Sequence, residues 1–325
     1  MYIKNICKII LHIFIIYQIT MIIISIFTFI NKYFLVNEVN FKERYGQNTW
    51  ACITGCSSGQ GKQFALKLAE RGMNILLIGR KGILTVEKEI KQKFNVETKC
   101  IIKDFCKSFK SNFFNDIKKF INSIDISILI NNVGHRTAWK PYHKMPPQLI
   151  KNTISVGTLV QARMIQIVLP NFLKMSNTRK SAIINITAQC MHFNIGFGLS
   201  NEISVPFLSA YEATNAFGFY HSNSIFKEYN HKKYNKFLDF LTITPGAVVT
   251  ENTQFLNSTL FNVTGEKYVD NILKLLGNVQ GIHNAHWGHS ISTLFINFAP
   301  FMKNKILYKV GDNISENIMK KNKSI

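Results

Sequence analysis

The sequence predicts an α/β fold, a doubly wound parallel sheet, with one transmembrane helix ahead of it. Residues 9–31 contain no Lys, Arg, Asp or Glu, and about 20 apolar residues suffice for a helix to cross a bilayer. From residue 49 onward, short apolar runs alternate with amphipathic ones. This pattern is typical of parallel strands whose two faces are covered by helices. A glycine-rich turn also joins the first strand to the first helix.

The amino-terminal segment, residues 1–36, is predicted to be a membrane anchor. Its apolar run is longer than the core of a cleavable signal peptide, and no small-residue cleavage site follows it. Basic residues lie before the run, at Lys4 and Lys8, and after it, at Lys32, so the positive-inside rule leaves the orientation open. A buried core helix is the alternative interpretation. The all-round apolarity of the run favours the membrane.

The remainder is predicted to form one α/β domain, residues 46–280, followed by a tail, residues 281–325, that is apolar and then basic. The predicted strands are Thr49–Ile53, Asn74–Ile78, Lys99–Ile102, Ile126–Ile130, Ala182–Ile186 and Phe237–Ile243. The predicted helices are Lys62–Arg71, Ile83–Phe94, Phe109–Ile121, Gln148–Lys174 and Ser209–Tyr229. The fourth helix is interrupted near Gly157. Strands that alternate with helices imply right-handed crossovers between parallel neighbours.

Charge and cysteine content exclude several classes of function. The net charge is +21, from 39 basic and 18 acidic residues, but the lysines are spread along the chain and no nucleic-acid reader motif accompanies them. We therefore predict no nucleic-acid partner: the charge fits a biased background composition better than a binding patch, and attraction to anionic lipid headgroups or an anionic cofactor is favoured over nucleic acid. The six cysteines include no CxxC pair, which favours reduced thiols in a cytosolic domain over disulfides or zinc.

The turn between the first strand and helix has the features that a dinucleotide pyrophosphate requires. Gly55 permits a tight turn, Gly59 lets the backbone approach phosphate, and Gly61 allows the helix to pack closely. Free N–H groups and the dipole at the helix start attract the anion. The flanking strand and helix favour a Rossmann-type cofactor site over a merely structural turn. The predicted cofactor residues in this turn are Thr54, Gly55, Ser57, Ser58, Gly59 and Gly61.

The end of the second predicted strand indicates which dinucleotide is bound. Arg80 and Lys81 stand there, where a fold that prefers NAD places an acidic residue on the ribose. A basic residue favours the 2′-phosphate of NADP(H) instead, so we assign Arg80 to the cofactor site and consider NAD(H) the less favoured alternative. A solvated loop charge is the structural alternative for Arg80.

The Thr-Gly-x-x-x-Gly-x-Gly spacing of residues 54–61 resembles that of the short-chain dehydrogenase/reductase family. Further motifs of that family follow the next strands in order: Asp104, the run Asn131-Asn132-Val133-Gly134, Tyr211, Pro245-Gly246 and Thr250. The resemblance covers about residues 46–255. It implies cofactor contacts from Asp104, Asn131, Gly134, Tyr211, Pro245, Gly246 and Thr250.

Within that family the sequence is most similar to the membrane-anchored 17-beta-hydroxysteroid dehydrogenases and very-long-chain 3-oxoacyl-CoA reductases. The similarity lies in the anchor, in Tyr45-Gly46, in residues 64–75, in the Asn-Asn-Val-Gly form and in Val168-Leu169-Pro170. It implies NADPH-dependent reduction of a lipid-like carbonyl, either a 3-oxoacyl-CoA or a ketosteroid. It also implies the endoplasmic-reticulum membrane, a cytosolic domain, and a homodimer or elongation-complex partners. Lys321 and Lys323 resemble a dilysine retrieval signal.

The family's reaction needs four side chains, and this sequence differs from the pattern at three of them. A Tyr protonates the carbonyl oxygen, a Lys lowers the pKa of that Tyr, a Ser polarises the carbonyl, and an Asn supports a relay water. Tyr211 occupies the Tyr position, and Asn215 occupies the Lys position. Thr187 is the nearest hydroxyl to the Ser position. We therefore take Tyr211, Asn215 and Thr187 as the candidate catalytic residues.

The other two positions leave the activity open. By register Ala188 takes the Ser position and Gly157 the Asn position, with Asn152 five residues away. Ser200 and Ser204, in a segment longer than the family's usual spacing, could supply a hydroxyl instead. The sequence thus fits either a ketoreductase with an eroded tetrad or a non-catalytic nucleotide- or lipid-binding relative that acts as a membrane partner protein.

The tail contains three histidines at three-residue spacing, His283, His286 and His289. Their spacing predicts that they lie near one helix face, where metal binding is an alternative. No carboxylate or cysteine joins them, so we interpret them as polar residues that face the membrane or the substrate. The apolar run Ile291–Met302 that follows is open to three interpretations: a lid over a lipid-like substrate, a second membrane contact, or ordinary core.

Overall fold

The computed structural model describes residues 2–135, 140–188, 193–194, 200–201, 206–231, 234, 236–250, 258–259, 261–298 and 308–309. Its first element, α1 (Tyr2–Ile30), continues into a π-helical turn, Asn31–Leu35. Within the described ranges two helical stretches are long and apolar enough to cross a membrane, Asn5–Leu35 and Pro147–Lys174. The first is entirely unburied in its most apolar window, whereas half of the second is buried. The second is therefore a core helix, and the first is the candidate membrane span.

A buried carboxylate fixes the segment that follows the anchor to the folded domain. Helix α2 (Phe41–Tyr45) places Arg44 and Tyr45 against Asp239, which is 2% exposed. Arg44 donates to both carboxylate oxygens at 2.6 and 2.9 Å, and the Tyr45 hydroxyl donates to one at 2.9 Å. Gln280 donates to the other oxygen at 2.7 Å. A buried carboxylate needs such partners, and together they hold the connector rigidly on the sheet.

Seven parallel strands form one sheet: β1 (Trp50–Thr54), β2 (Asn74–Gly79), β3 (Thr98–Ile102), β4 (Ile126–Asn131), β5 (Ser181–Ile186), β8 (Leu238–Ile243) and β11 (Gly281–His283). Their order across the sheet is β11-β8-β5-β4-β1-β2-β3. Because β4 and β2 flank β1 on opposite sides, the chain reverses its direction of winding at β1, and this switch point is where such sheets bind ligands. The doubly wound prediction is confirmed.

Helices cover both faces of the sheet. One apolar layer packs against α3 (Gly59–Glu70), α4 (Ile83–Lys93) and α9 (Gly265–Leu275). The opposite layer packs against α5 (Asn115–Ile121), α7 (Val160–Lys174) and α8 (Ser209–Tyr229). Two further helices are α6 (Pro147–Ile154) and α10 (Trp287–Phe298). Two short strand pairs lie outside the main sheet: β6 (Phe193–Asn194) with β7 (Ser200–Asn201), which are antiparallel, and β9 (Val248–Val249) with β10 (Val263–Thr264), which are parallel.

Three features differ from, or refine, the expectations. The helix predicted over Phe109–Ile121 begins only at Asn115; the residues before it form turns with i→i+3 hydrogen bonds, such as Phe113 N–H to the Lys110 carbonyl at 3.0 Å. The seventh strand, β11, begins one residue beyond the predicted domain boundary at 280 and pairs with β8. The interruption near Gly157 is a π-helical turn, Ser155–Leu159, between α6 and α7.

Candidate functional site

The glycine turn after β1 is built on close backbone approaches. Gly55 has φ +69°, and a Cβ there would lie 2.7 Å from the Val133 Cα. A Cβ on Gly61 would lie 2.4 Å from the Gly55 carbonyl oxygen. Gly59 has φ +57°, and among the described residues a Cβ there would meet Thr250, at 3.7 Å. The turn therefore requires glycine for its shape, and Thr250 lies directly beside it.

The loop after β4 is bonded to this turn through Thr54. The Thr54 side chain is fully buried, its hydroxyl donates to the Ile130 carbonyl at 3.3 Å, and it accepts from the backbone N–H groups of Asn132 and Val133. The Asn132 amide donates back to the carbonyls of Thr54 and Gly55, both at 3.1 Å. Thr54 and Asn132 thus hold two loops together at the switch point, below the surface that a cofactor would contact.

The beginning of α3 is suited to an anion. Ser58 precedes the helix in an extended conformation with φ −163°, and its side chain makes no capping hydrogen bond. The first N–H groups of a helix need an acceptor, and a pyrophosphate supplies one. Across the switch point Gly134 is exposed, and no atom of the described residues lies within 4 Å of the position of a Cβ there. The residues present therefore fit a dinucleotide.

The loops after β2 and β3 lie side by side at one end of this site. Arg80 is exposed and close enough to Cys106 for its charge to act on that thiol. Asp104 accepts from the Cys106 backbone N–H at 3.1 Å; burial, with the Asp104 charge adding to it, raises the pKa of Cys106. A Cβ on Gly82 would lie 3.0 Å from the Ser57 Cβ. Ser57, Arg80 and Asp104 therefore lie around one end of the glycine turn.

A histidine from α10 holds the loop after β8. The Gly246 N–H donates to Nδ1 of His289 at 3.2 Å, which places the imidazole proton on Nε2, 3.2 Å from the Ala247 carbonyl oxygen. His289 is 2% exposed, and burial lowers its pKa. Through these contacts to Gly246 and Ala247, the neutral ring holds the loop from Pro245 to Thr250 in place. Sequence reasoning missed this role, and only the histidine spacing drew attention to the residue.

The three histidines do not share a helix face, so that prediction is wrong. His283 is the last residue of β11, His286 precedes α10, and His289 lies within α10, because the chain turns from strand to helix between them. The rings of His286 and His289 are 5.2 Å apart. Within the described part of the chain no group of three His, Cys, Asp or Glu residues is arranged to hold a metal ion.

One side of α8 faces the sheet and bears the candidate acid. Tyr211, Asn215, Gly218 and Ser222 recur at helical spacing, and the last three are buried. Tyr211 is partly exposed at the start of the helix. The Asn215 side chain donates to the Tyr211 carbonyl at 2.9 Å. Asn215 is therefore one turn from Tyr211 on the same face, but its amide is engaged by the helix backbone.

The positions around the predicted Ser and Asn are tightly packed. The Thr187 hydroxyl is buried and donates to the Ile243 carbonyl at 2.9 Å. Ala188, which follows it, is 8% exposed. A Cβ on Gly157 would lie 2.6 Å from both Cβ and Oγ1 of Thr214, so the π-helical turn and α8 touch where the family places its Asn side chain.

The remaining candidates lie elsewhere. Asn152, on α6, accepts from the Gln148 side chain at 2.7 Å. Ser204 lies outside the described residues, and of Ser200 only the backbone is described, in β7.

A buried polar chain that sequence reasoning missed connects the site to its support. The Asn131 side chain donates to Asn185 at 2.9 Å, Asn185 donates to Ser222 at 2.8 Å, and Gln161 donates to Ser222 at 3.2 Å. These residues come from β4, β5, α8 and α7. Asn131 thus orients the sheet and α8 rather than presenting its amide to solvent. The signal was Asn185, a polar residue inside the otherwise apolar run Ile183–Ile186.

Comparison with known proteins places this site in a family. A family model described as short chain dehydrogenase matches residues 49–260. The chain belongs to the short-chain dehydrogenase family. It is 30% identical over 305 residues to the very-long-chain 3-oxoacyl-CoA reductase of Homo sapiens, which covers 92% of this chain and 90% of that protein. It is also 30% identical over 265 residues to hydroxysteroid dehydrogenase-like protein 1 of Gallus gallus. That alignment covers 79% of this chain and 73% of that protein.

Solved structures agree on the fold. A short-chain dehydrogenase from Sphingobium yanoikuyae in complex with NADPH superposes with a TM-score of 0.58 at 22% identity, covering 73% of this chain and 87% of that one. A 7beta-hydroxysteroid dehydrogenase superposes with a TM-score of 0.65 at 21% identity, covering 78% of this chain and 93% of that one. Both the family resemblance and the Rossmann-type fold predicted from the sequence are confirmed.

Replacing Gly61 with alanine tests the close packing at the family's glycine turn. The new Cβ would meet the Gly55 carbonyl oxygen at 2.4 Å, and backbone can give way only by moving α3 from the sheet. We expect Gly61→Ala to lower the free energy of unfolding by about 1–3 kcal/mol, measured by denaturant unfolding. Gly134→Ala is the matched control, because its Cβ would have no neighbour within 4 Å in the part of the chain that the structure describes. Equal losses in the two variants would contradict the packing argument.

Proposed function

We propose that this short-chain dehydrogenase is a membrane-anchored, NADP(H)-dependent ketoreductase of lipid metabolism with an eroded catalytic tetrad. Its substrate would be a 3-oxoacyl-CoA or a ketosteroid-like lipid. The observation that carries the proposal is the position of Tyr211, partly exposed at the start of α8 on the face turned towards the sheet. The named relatives support the lipid substrate, and the glycine turn supports the dinucleotide.

The chemistry assigned to the chain is a proton transfer. A bound nicotinamide cofactor would supply the hydride that the carbonyl carbon needs, and the Tyr211 hydroxyl would supply the proton with which the carbonyl oxygen becomes an alcohol. Asn215 stands where the family has a Lys, and its amide carries no charge that could assist proton transfer from Tyr211. We therefore expect slow turnover.

The preference for NADP(H) rests on Arg80. It is exposed at the carboxyl end of β2, beside the loop that bears Asp104. A guanidinium there would pair with a 2′-phosphate. The ionic attraction has no counterpart in NAD(H), so cofactor affinity should favour the phosphorylated form.

A non-catalytic nucleotide- or lipid-binding relative is the second candidate function. Two groups that could have replaced the missing tetrad members already have partners: the Asn215 amide donates to the Tyr211 carbonyl and the Thr187 hydroxyl donates to the Ile243 carbonyl. Such a protein would bind the cofactor without turnover and act as a membrane partner.

Location and assembly extend the same proposal. We place the protein in the endoplasmic-reticulum membrane through α1, with the α/β domain in the cytosol. A homodimer or a fatty-acid elongation complex would supply its protein partners. Phe217 and Tyr220, 38% and 58% exposed on the outer side of α8, form an aromatic surface suited to such a contact.

The deciding experiment measures NADPH oxidation by the purified protein with a long-chain 3-oxoacyl-CoA. We expect slow turnover that Tyr211→Phe abolishes, because the variant lacks the proton that the carbonyl oxygen needs. NADPH binding, followed by cofactor fluorescence, should be kept in Tyr211→Phe. Tight binding with no turnover by either protein would instead support the non-catalytic candidate. The same assay with NADH measures the cofactor preference.

A further inference from the structure

The outer side of α10 is apolar and exposed. Ile291 and Leu294 are 38% and 55% exposed and, three residues apart, lie on the same side of the helix. Phe261, 47% exposed, has its ring 6.2 Å from the ring of Trp287, the first residue of α10. We call these four residues the α10 surface. They belong to a highly basic protein, yet residues 275–302 contain no Lys, Arg, Asp or Glu.

The α10 surface lies beside the end of the membrane anchor. Tyr33, in the π-helical turn that follows α1, donates to the Asn284 carbonyl at 3.0 Å, and its oxygen lies 2.5 Å from the Ser290 hydroxyl. Ser290 is in the first turn of α10. The two longest uncharged segments of the described chain therefore meet where the apolar anchor ends.

The course of the connector shows on which side of the domain the anchor departs. Tyr33 contacts Asn284, which follows the carboxyl end of β11. Four residues later the Asn37 carbonyl accepts from Asn278 at 2.8 Å, ahead of the amino end of β11. The connector thus runs from the carboxyl edge of the sheet to its amino edge. Traced backwards, it reaches the anchor at the carboxyl edge, where the cofactor loops also lie.

We propose that the α10 surface inserts into the headgroup boundary of the bilayer that α1 crosses, as an in-plane contact. The inference rests on the membrane anchoring in the proposed function. Such helices bury their apolar side about 5–10 Å deep, and Trp is enriched at that depth. The inner side of α10 bears His289, which holds Gly246. One helix therefore connects the membrane to the cofactor loop, and the site opens towards the bilayer that holds a lipid substrate.

The test places a tryptophan on the surface in the full chain. Leu294→Trp is reconstituted into phosphatidylcholine vesicles whose acyl chains carry bromine near the headgroup, and its added fluorescence relative to the parent is compared with that in unbrominated vesicles. We expect bromine to remove most of the added emission. Asn95→Trp is the control, because Asn95 is exposed in the turn before β3, at the amino edge, and its emission should persist. Ile291→Trp repeats the measurement at a second position.

The outcomes separate this proposal from the one on which it rests. Protein that floats with the vesicles while bromine quenches neither Leu294→Trp nor Ile291→Trp would overturn the α10 contact and leave the anchor intact. Added emission that neither aqueous iodide nor lipid bromine quenches would assign the surface to a contact with protein and would also overturn the proposal. Protein that fails to float would overturn both. The amount of ketone reduction affects none of these readings.

Discussion

Asn215→Lys is expected to increase ketone reduction roughly 10²-fold, the scale of a positioned acid–base group. The residue lies one turn from Tyr211 on the same face of α8 and is 9% exposed. An ammonium there would favour the ionised phenol and so lower the pKa of Tyr211, which makes it a better acid at neutral pH. The measurement is kcat for NADPH-dependent reduction of a 3-oxoacyl-CoA.

Asn215→Met is the matched control for this gain. Methionine has a similar unbranched length but no charge, so it should give no increase. Combining Asn215→Lys with Tyr211→Phe should remove the gain, because the lysine acts through the phenol. The Thr214 hydroxyl still donates to the Tyr211 carbonyl at 2.8 Å, which retains one of the two side-chain contacts to that backbone group. A methionine variant as active as the lysine variant would refute the electrostatic argument.

The full tetrad is harder to restore than the lysine alone. An asparagine at Gly157 would have to displace Thr214, whose Cβ lies 2.6 Å from the position of any Cβ there. The loss of the family's Asn is therefore accompanied by closer packing of the π-helical turn on α8. This contact explains why sequence register could identify the missing side chain but could not show that another group fills its space.

The parallel sheet and its six longer strands were predictable because apolar runs of strand length alternate regularly with helical patterns along the chain. The helix predicted over Ser209–Tyr229 has those bounds in the structure, since its apolar pattern and neighbouring strands leave little choice. Short elements were missed for the opposite reason. Strand β11 has only three residues, Gly281–His283. It forms because it can pair with the free edge of β8, whose residues lie about 40 positions earlier in the sequence.

The candidate site could be predicted only where its residues form a motif within one short stretch of the sequence. The glycine turn and the Asn-Asn-Val-Gly loop each follow their own strand, so the sequence places them correctly at one edge. His289 holds Gly246 from a helix that comes 43 residues later, and no local pattern connects the two. Long-range support of this kind, like the Asp239 contacts that fix the connector, becomes visible only when the chain is folded.

Acid is expected to destabilise the protein through the histidines around α10. Burial lowers the pKa of His283 and of His286 to about 4 and also lowers that of His289. Between those values and the ordinary histidine pKa of about 6.5, the unfolded chain binds protons that the folded chain does not. Stability is therefore fully present above about pH 6.5 and is lost as the pH falls towards about 4, at a limiting slope of about 1.4 kcal/mol per pH unit for each proton.

Protonation has a local consequence at the cofactor loop. Nδ1 of His289 accepts from the Gly246 N–H, and a protonated ring has no lone pair left for that contact. NADPH affinity should thus fall together with stability in the same acidic range, because the loop from Pro245 to Thr250 loses its support. The measurements are denaturant unfolding in detergent and NADPH binding by fluorescence, each between pH 4 and pH 8, the range chosen to bracket both pKa limits.

His286→Asn tests the contribution of one of these three histidines to the pH dependence of the free energy of unfolding. His286 is 5% exposed, and its Nδ1 has no hydrogen-bond partner among the described residues, so the variant should unfold with a shallower pH slope while it keeps the Gly246 contact. His143→Asn is the control, since His143 is exposed on the surface after β4 and its replacement should leave the slope unchanged. A wild-type stability that stays constant from pH 7 to pH 5 would contradict the buried, neutral state of all three rings.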